Sequence, residues 1–335
     1  MSTKKRTARI GDVARCCAVS VTTVSRVLNN RQDVSPETRA KVERAIRRLG
    51  YVPSAAARRM ASGRPHAAIP TQTIAILTNP ALAQSVAASE TLSALTVKAA
   101  GTGYRVVVVV TPLRQGRDGC DGFVMMGRYE TEALADHPKV TMDWLSPDPT
   151  IPGVLPDYEA GIYQAAKVAL ARGYRRPFLL AGCPKNPEMT FSGMLWRGYR
   201  RALIEEGHAP EACVCQTPAT RKEEAYQAAL EILRRPDRPD LIFTNDDGGI
   251  GVYRAARELG IAIPSQLGVV GCDGLSLCPY MTPSLATIEI GFEALAAETL
   301  NRLWPAINRT PGPHPSKLLL KTKFTDGDSL LRGGT

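Results

Sequence analysis

Several things are scarce in this 335-residue sequence, and each scarcity removes a class of function. The four histidines, His66, His137, His208 and His314, are scattered. None belongs to a His-Glu-x-x-His pair, and no Gly-x-Ser-x-Gly elbow or Walker-type phosphate loop occurs, so no enzyme is expected. Gly248-Gly249-Ile250-Gly251 precedes a helical stretch but lacks the Gly-x-Gly-x-x-Gly spacing that lets backbone approach a pyrophosphate. The eight cysteines form no Cys-x-x-Cys pair and have no histidine at ligand spacing, which argues against metals and other cofactors. A redox role for Cys213-Val214-Cys215 stays open beside the reading of all eight as reduced, small apolar residues. No run reaches the roughly 18 uncharged apolar residues that span a bilayer. Val106–Val110, among the longest, has the length of a buried strand. The charged N-terminus lacks the apolar stretch of a signal peptide. A soluble, cytoplasmic protein with no membrane partner is therefore expected.

Acidic residues are scarce in one place. Residues 1–64 hold fifteen Lys and Arg against four Asp and Glu, whereas the remainder holds 27 against 28. A basic head on a neutral body is the electrostatic footprint of a nucleic-acid binder, although a solvated basic surface would have the same composition.

The head reads as three helices. Ile10, Val13, Ala14 and Cys17 fall on one stripe. After a turn at Ala18-Val19, Ser20 can cap a second helix reaching Leu28, with Val24, Val27 and Leu28 inward. Ser35-Pro36-Glu37 then gives a cap, a first-position proline and a first-turn acid to a third helix that stops at Gly50. Two short helices with a third across them predict a helix-turn-helix, whose second helix enters the major groove. Val21, Thr22 and Arg26 would face the bases: the guanidinium suits guanine O6 and N7, and Val21 suits a thymine methyl. Thr23, Ser25 and Asn29 are short polar groups suited to phosphate contacts.

These segments carry a family resemblance. Asp12-Val13-Ala14, Val19 through Asn29, Val34-Ser35, Thr38-Arg39 and Leu49 through Pro53 together resemble the head of lactose-repressor (LacI/GalR-type) transcriptional regulators. The resemblance implies that positions 21, 22 and 26 read bases of a double-stranded operator, and that the outcome is repression. One departure is Ala18, where the family usually has glycine; if the position needs positive φ, alanine costs roughly 1 kcal/mol. Residues 53–61 then resemble the family's hinge helix, which orders in the minor groove when two copies meet. Ser54 would cap it, Ala57 would allow close approach, and Met60 stands where the wedge is usually leucine. The expected divisions are 1–52 for the head, 53–61 for the hinge, 62–72 for a linker and 73–330 for the body.

In the body, apolar strands alternate with helical stretches, which predicts doubly wound α/β structure with parallel sheets. Strands are expected at Thr73–Thr78, 104–110, Gly122–Met126, 140–144, 177–181, 241–244 and 267–271. The segments Asp157-Tyr158-Glu159-Ala160-Gly161, Gly198-Tyr199, Phe243 through Asp247 and Val269 through Asp273 resemble the family's periplasmic-binding-protein-like core. That implies two lobes, about 73–157 with 289–308 and 158–288 with 312–330, around a cleft for a small-molecule effector, and a homodimer.

Asn245, Asp246 and Asp273, at strand C-terminal ends, would line the cleft and suit the hydroxyls of a sugar-like ligand; the first two can equally cap the following helix. Leu195 stands where the family has an effector-binding arginine. No aromatic pair follows the first strand, and residues 111–121 are short where the family has a helix. Either the effector is unusual, less anionic and less dependent on stacking, or the cleft is degenerate and the protein is an effector-independent, architectural DNA binder. A periplasmic binding protein would fit the body but not the head.

Overall fold

The computed structural model describes residues 10–28, 34–49, 71–80, 82–110, 119–127, 134, 137–181, 191–210, 221–313 and 316–331. Asn29, the hinge residues Ser54, Ala57 and Met60, and residues 111–118 lie outside the described residues. The chain divides into two compact units, one holding the head and the other Thr73–Arg114 with Asp121–Thr335.

The head comprises α1 (Ile10–Cys17), α2 (Val21–Leu28) and α3 (Pro36–Leu49). Its core is Val13, Ala14, Cys17, Val24, Val27, Val42 and Ala45, spaced so that each helix turns one stripe inward. Ser20 Oγ accepts the Thr23 N–H at 3.0 Å, and Ser35 Oγ accepts the Thr38 N–H at 3.3 Å, so both predicted caps are made. Helix α1 ends in a left-handed turn. Ala18 has φ 50°, its N–H donates to Arg15 O at 3.3 Å, and Val19 N–H donates to Ala14 O at 3.1 Å. This pair of bonds is the Schellman closure, which glycine serves best because it has no Cβ.

The body begins with β1 (Thr73–Thr78), α4 (Val86–Ala100), β2 (Arg105–Val110), β3 (Gly122–Met126), β4 (Lys139–Met142) and β5 (Gly153–Pro156). The chain then passes into α5 (Tyr158–Ala171), β6 (Pro177–Leu179), α6 (Phe191–Glu205), α7 (Lys222–Leu233) and β7 (Leu241–Phe243). After these come α8 (Asp246–Glu258), β8 (Gly268–Asp273), β9 (Ala286–Glu289), α9 (Phe292–Asn308), β10 (Lys317–Leu320) and β11 (Lys323–Thr325).

The strands make two sheets. One has six strands in the order β10-β5-β4-β3-β1-β2, and the other has five in the order β11-β9-β8-β7-β6. Every pairing is parallel except β11 with β9. Strands β1, β3, β5, β7 and β8 are buried throughout, as sheets covered on both faces require. The expected doubly wound, two-lobed architecture is present.

Its lobe boundaries need one correction. The tail expected in the second lobe is shared, because β10 pairs with β5 in the first sheet and β11 with β9 in the second. Strand β2 is an edge of its sheet, and Val107 and Val108 are each 44% exposed there. Close packing explains Gly198: a Cβ there would lie 2.2 Å from the Glu159 carbonyl, so only glycine lets α6 meet α5 at that point.

Candidate functional site

The head offers an exposed helix face. On α2, Val24 and Val27 point into the core, which turns Val21, Thr22 and Arg26 outward and leaves all three exposed. Thr23 is half-buried, and its hydroxyl lies 2.9 Å from Ser20 Oγ, inside the cap. Ser25 belongs to the same helix. Exposed Lys41, Arg44 and Arg48 on α3 add positive charge to this unit.

The body encloses a concave site, a cavity of about 490 Å³. Three loops at strand ends and three helix starts build it. Asp143 follows β4, Asp273 ends β8, and Asn245 and Asp247 begin α8 after β7. Tyr158 opens α5, Phe191 opens α6, and Arg221 and Glu224 stand at the start of α7. All of these side chains line the cavity, with Leu82, Met126, Ile290 and Leu295 supplying apolar wall.

The chemistry of this wall is acidic. Tyr158 Oη donates to Asp143 Oδ1 at 2.5 Å. Burial pushes the Asp143 carboxyl up to about 6, and the tyrosine hydrogen bond opposes that rise. Asp273 is held well above the usual carboxylate range, first by burial and then by the like charges of Asp246 and Asp143. Both residues also sit at positive φ, 62° for Asp143 and 135° for Asp273, conformations that the surrounding structure must impose. Asp247 is 5% exposed. Its Oδ2 accepts the Val86 N–H at 3.0 Å, whereas Oδ1 is buried with no hydrogen-bond partner among the described residues. Arg221 is bound to Glu224 through Nε at 2.9 Å and Nη2 at 2.5 Å.

Of the four effector residues expected from sequence, the cavity gathers two. Asn245 serves both expected roles: it lines the cavity, and its Oδ1 caps α8 by accepting the Gly248 N–H at 3.2 Å. Asp273 lines the cavity as well. Asp246 points elsewhere and ties the β8–β9 connection together. Its Oδ2 accepts the N–H groups of Gly274 and Leu275, both at 2.8 Å, and the Cys278 thiol at 3.2 Å. Its Oδ1 accepts the Thr287 hydroxyl at 2.6 Å. Leu195 is fully buried in the hydrophobic core, as an aliphatic side chain should be. Asp143, Asp247, Tyr158, Phe191, Arg221 and Glu224 were not anticipated. Asp143 lies inside an expected strand, and Asp247 follows directly on two residues expected at the cleft.

Comparison with known proteins agrees with this division. Residues 9–54 match bacterial regulatory proteins of the lacI family, and residues 166–330 match the periplasmic binding protein-like domain. The HTH-type transcriptional repressor PurR of Edwardsiella ictaluri is 31% identical over 96% of this chain and 98% of its own length. This chain belongs to the lacI family of bacterial regulatory proteins. Among solved structures, the transcriptional regulator CelR–cellobiose complex superimposes with a TM-score of 0.66 at 25% identity, covering 96% of this chain and 99% of that one. The lac repressor dimer bound to operator and an anti-inducer shares the fold, with a TM-score of 0.75 at 24% identity over 98% and 100% of the two chains. As a lacI-family regulator, the protein carries a basic reading head and an acidic cleft in one chain. No helix among the described residues is long and apolar enough to cross a membrane.

Proposed function

We propose that this lacI-family regulator is a cytoplasmic repressor that binds a pseudo-palindromic operator as a homodimer and is modulated by a small molecule in the cleft. It works by binding and not by catalysis. The observation that carries the reading is the outward presentation of Val21, Thr22 and Arg26 from a basic three-helix head whose chain continues into a body with a built cavity.

In each half-site Arg26 addresses a guanine and Val21 a thymine methyl, while Thr23, Ser25 and Asn29 hold phosphates and fix register. Ser54, Ala57 and Met60 serve as the hinge, with Met60 as the minor-groove wedge that bends the operator centre. Asn245 and Asp273 are the expected effector ligands that face the cavity, and Asp143 and Asp247 join them. Exposed Val97 on α4 and Val107, Val108 and Val110 on the neighbouring β2 support pairing of two first lobes, since this apolar area gains by leaving water.

Selection of bound duplexes from a random pool by the full-length protein, at stated salt, tests the reading. A two-fold motif with a guanine in each half and a deformable central step is the expected result. A single half-site, or binding that depends on salt alone, would refute the dimeric operator and favour an effector-independent architectural DNA binder.

A further inference from the structure

We propose that two carboxylate bridges, Asp247 to Val86 and Glu90 to Ser276, form a clasp that holds the lobes together and opens as one unit. The clasp follows from the two-lobed fold and does not depend on what the cavity holds. Its consequence for DNA rests on the reading of the body as the part that modulates the head.

The path of the chain locates the hinge between the lobes. The chain passes from the first lobe to the second after β5 and returns after β9 into α9, which packs against β3, β4 and β5. It crosses again between β10 and β11. The first and last crossings are tied together. Asp157 N–H donates to Leu320 O at 2.8 Å, and the Thr322 hydroxyl donates to Asp157 O at 2.9 Å. Strands β5 and β10 are neighbours at one edge of the first sheet, so rotation of one lobe against the other pivots there.

The two bridges lie away from that edge. Helix α4 starts beyond the end of β1, and β1 is three strand spacings from β5, about 14 Å. Val86, the first residue of α4, donates its N–H to Asp247 Oδ2 at 3.0 Å. One turn further on, Glu90 Oε1 accepts the Ser276 N–H at 3.0 Å and the Ser276 hydroxyl at 2.7 Å. Asp247 and Ser276 both belong to the second lobe, just past the ends of β7 and β8.

This lever arm makes the bridges break together. At about 14 Å from the pivot, a rotation of about 10° moves a group by about 2 to 3 Å, which takes either contact out of hydrogen-bond range. Val86 and Glu90 are four residues apart on one helix, so neither bridge opens far while the other stays closed. Both acceptors are carboxylates, which strengthens each bridge over a neutral one. Tyr158 and Asp143 also join the lobes, but close to the pivot. Tyr158 directly follows the crossing at Asp157, and Asp143 N–H is bound to Val154 O on β5 at 2.9 Å. The same rotation moves that pair little, so it stands outside the clasp.

Hydrogen exchange in the full-length protein tests the clasp, read at the Val86 amide, with the amides of residues 95–99 as the control for α4 itself. Ser276→Ala alters no residue of α4, yet it should speed Val86 exchange about threefold. Glu90→Ala removes the whole second bridge and should speed it about tenfold. Ser276→Thr keeps a hydroxyl and should restore the wild-type rate. In the reverse direction, Asp247→Ala should speed exchange of the Ser276 amide. Wild-type Val86 exchange in both Ser276→Ala and Glu90→Ala means independent bridges and overturns the clasp. A rise shared by residues 95–99 means a loosened helix and overturns it equally. Affinity for the selected operator is the second measurement, and Glu90→Ala, which leaves the head unaltered, should shift it at least about threefold. Faster Val86 exchange with unmoved operator affinity overturns the consequence for DNA and leaves the clasp. Failure of the wild type itself to select an operator would instead sink the functional reading.

Discussion

Replacing Ala18 with glycine stabilises the head without touching its reading face. Ala18 holds φ 50° because two hydrogen bonds require it, the Ala18 N–H to Arg15 O and the Val19 N–H to Ala14 O. A left-handed residue with a Cβ costs about 1–2 kcal/mol. Glycine removes that cost but brings back roughly 0.5–1 kcal/mol of unfolded-chain entropy. The balance is a gain of about 0.5–1 kcal/mol, which slows hydrogen exchange through local opening about two- to fivefold. The amides to follow are those of Val13–Cys17 in the full-length protein, read by mass spectrometry. Gly11→Ala is the companion variant: an added Cβ meets nothing within 4 Å, so it gains helix propensity alone, up to about 1 kcal/mol. Slower exchange in Gly11→Ala with unchanged or faster exchange in Ala18→Gly would refute the left-handed closure. Val21, Thr22 and Arg26 are unaltered in both, so the selected operator should be unaltered too.

Four further outcomes are expected. Arg26→Ala should flatten preference at one base of each half-site, costing about 1–3 kcal/mol there, while the salt dependence falls by roughly one ion; competition binding that finds specificity intact would exclude the guanine contact. Asp246→Ala should lower unfolding free energy by about 3 kcal/mol or more, because the N–H groups of Gly274 and Leu275 and the Thr287 hydroxyl lose their acceptor; denaturation showing full stability would return Asp246 to the ligand site. Asp143 binds its proton more tightly folded, at about 6, than unfolded, at 3.8, so its contribution to stability is present below about pH 4 and lost as pH rises through 6. Asp143→Asn should therefore gain up to about 3 kcal/mol on the wild type at pH 7.5 and little near pH 4, and an equal difference at both would refute the shift. Val86 is the first residue of α4 after the Ser85 cap, where proline suits a helix but has no N–H to give Asp247. A stability cycle of Val86→Pro with Asp247→Asn should show about 1–2 kcal/mol of coupling, and strict additivity would deny the bond.

The sequence made some of this legible and hid the rest for identifiable reasons. The three head helices emerge as expected because short-range signals agree: apolar spacing, Ser20 and Ser35 as caps, Pro36 at the first helical position. The central strands of the body were visible as apolar runs. Strands β5, β9, β10 and β11 were not expected; they are no shorter than β4, β6 and β7, and β10 and β11 are placed by pairing with β5 and β9, far away in sequence. The assignment of β10 to the first lobe is a matter of long-range pairing with β5, which no local pattern encodes. At the cleft, strand-end reasoning found Asn245 and Asp273. It failed for Asp246 because two consecutive carboxylates opening a helix point in different directions, and only tertiary packing decides which faces the cavity. Here Asp246 turns toward the β8–β9 connection and Asp247 toward the space between the lobes.

That division of labour between neighbouring aspartates bears on how a ligand could act at a distance. Asp247 belongs to the second lobe, and its Oδ2 holds the first residue of α4 in the first lobe. Glu90, one turn along α4, reaches back to accept the Ser276 N–H at 3.0 Å and its hydroxyl at 2.7 Å. Both bridges use carboxylates that also contribute to the acidic field around Asp273. Like charge across the cavity opposes the approach of the two lobes, and these hydrogen bonds favour it. A ligand seated in the cavity changes the balance between that repulsion and the two bridges. A ligand that fits the cavity only while Val86 and Asp247 are joined would bind the two arrangements with different affinity. Such differential affinity is the thermodynamic requirement for an effector to shift one arrangement over another.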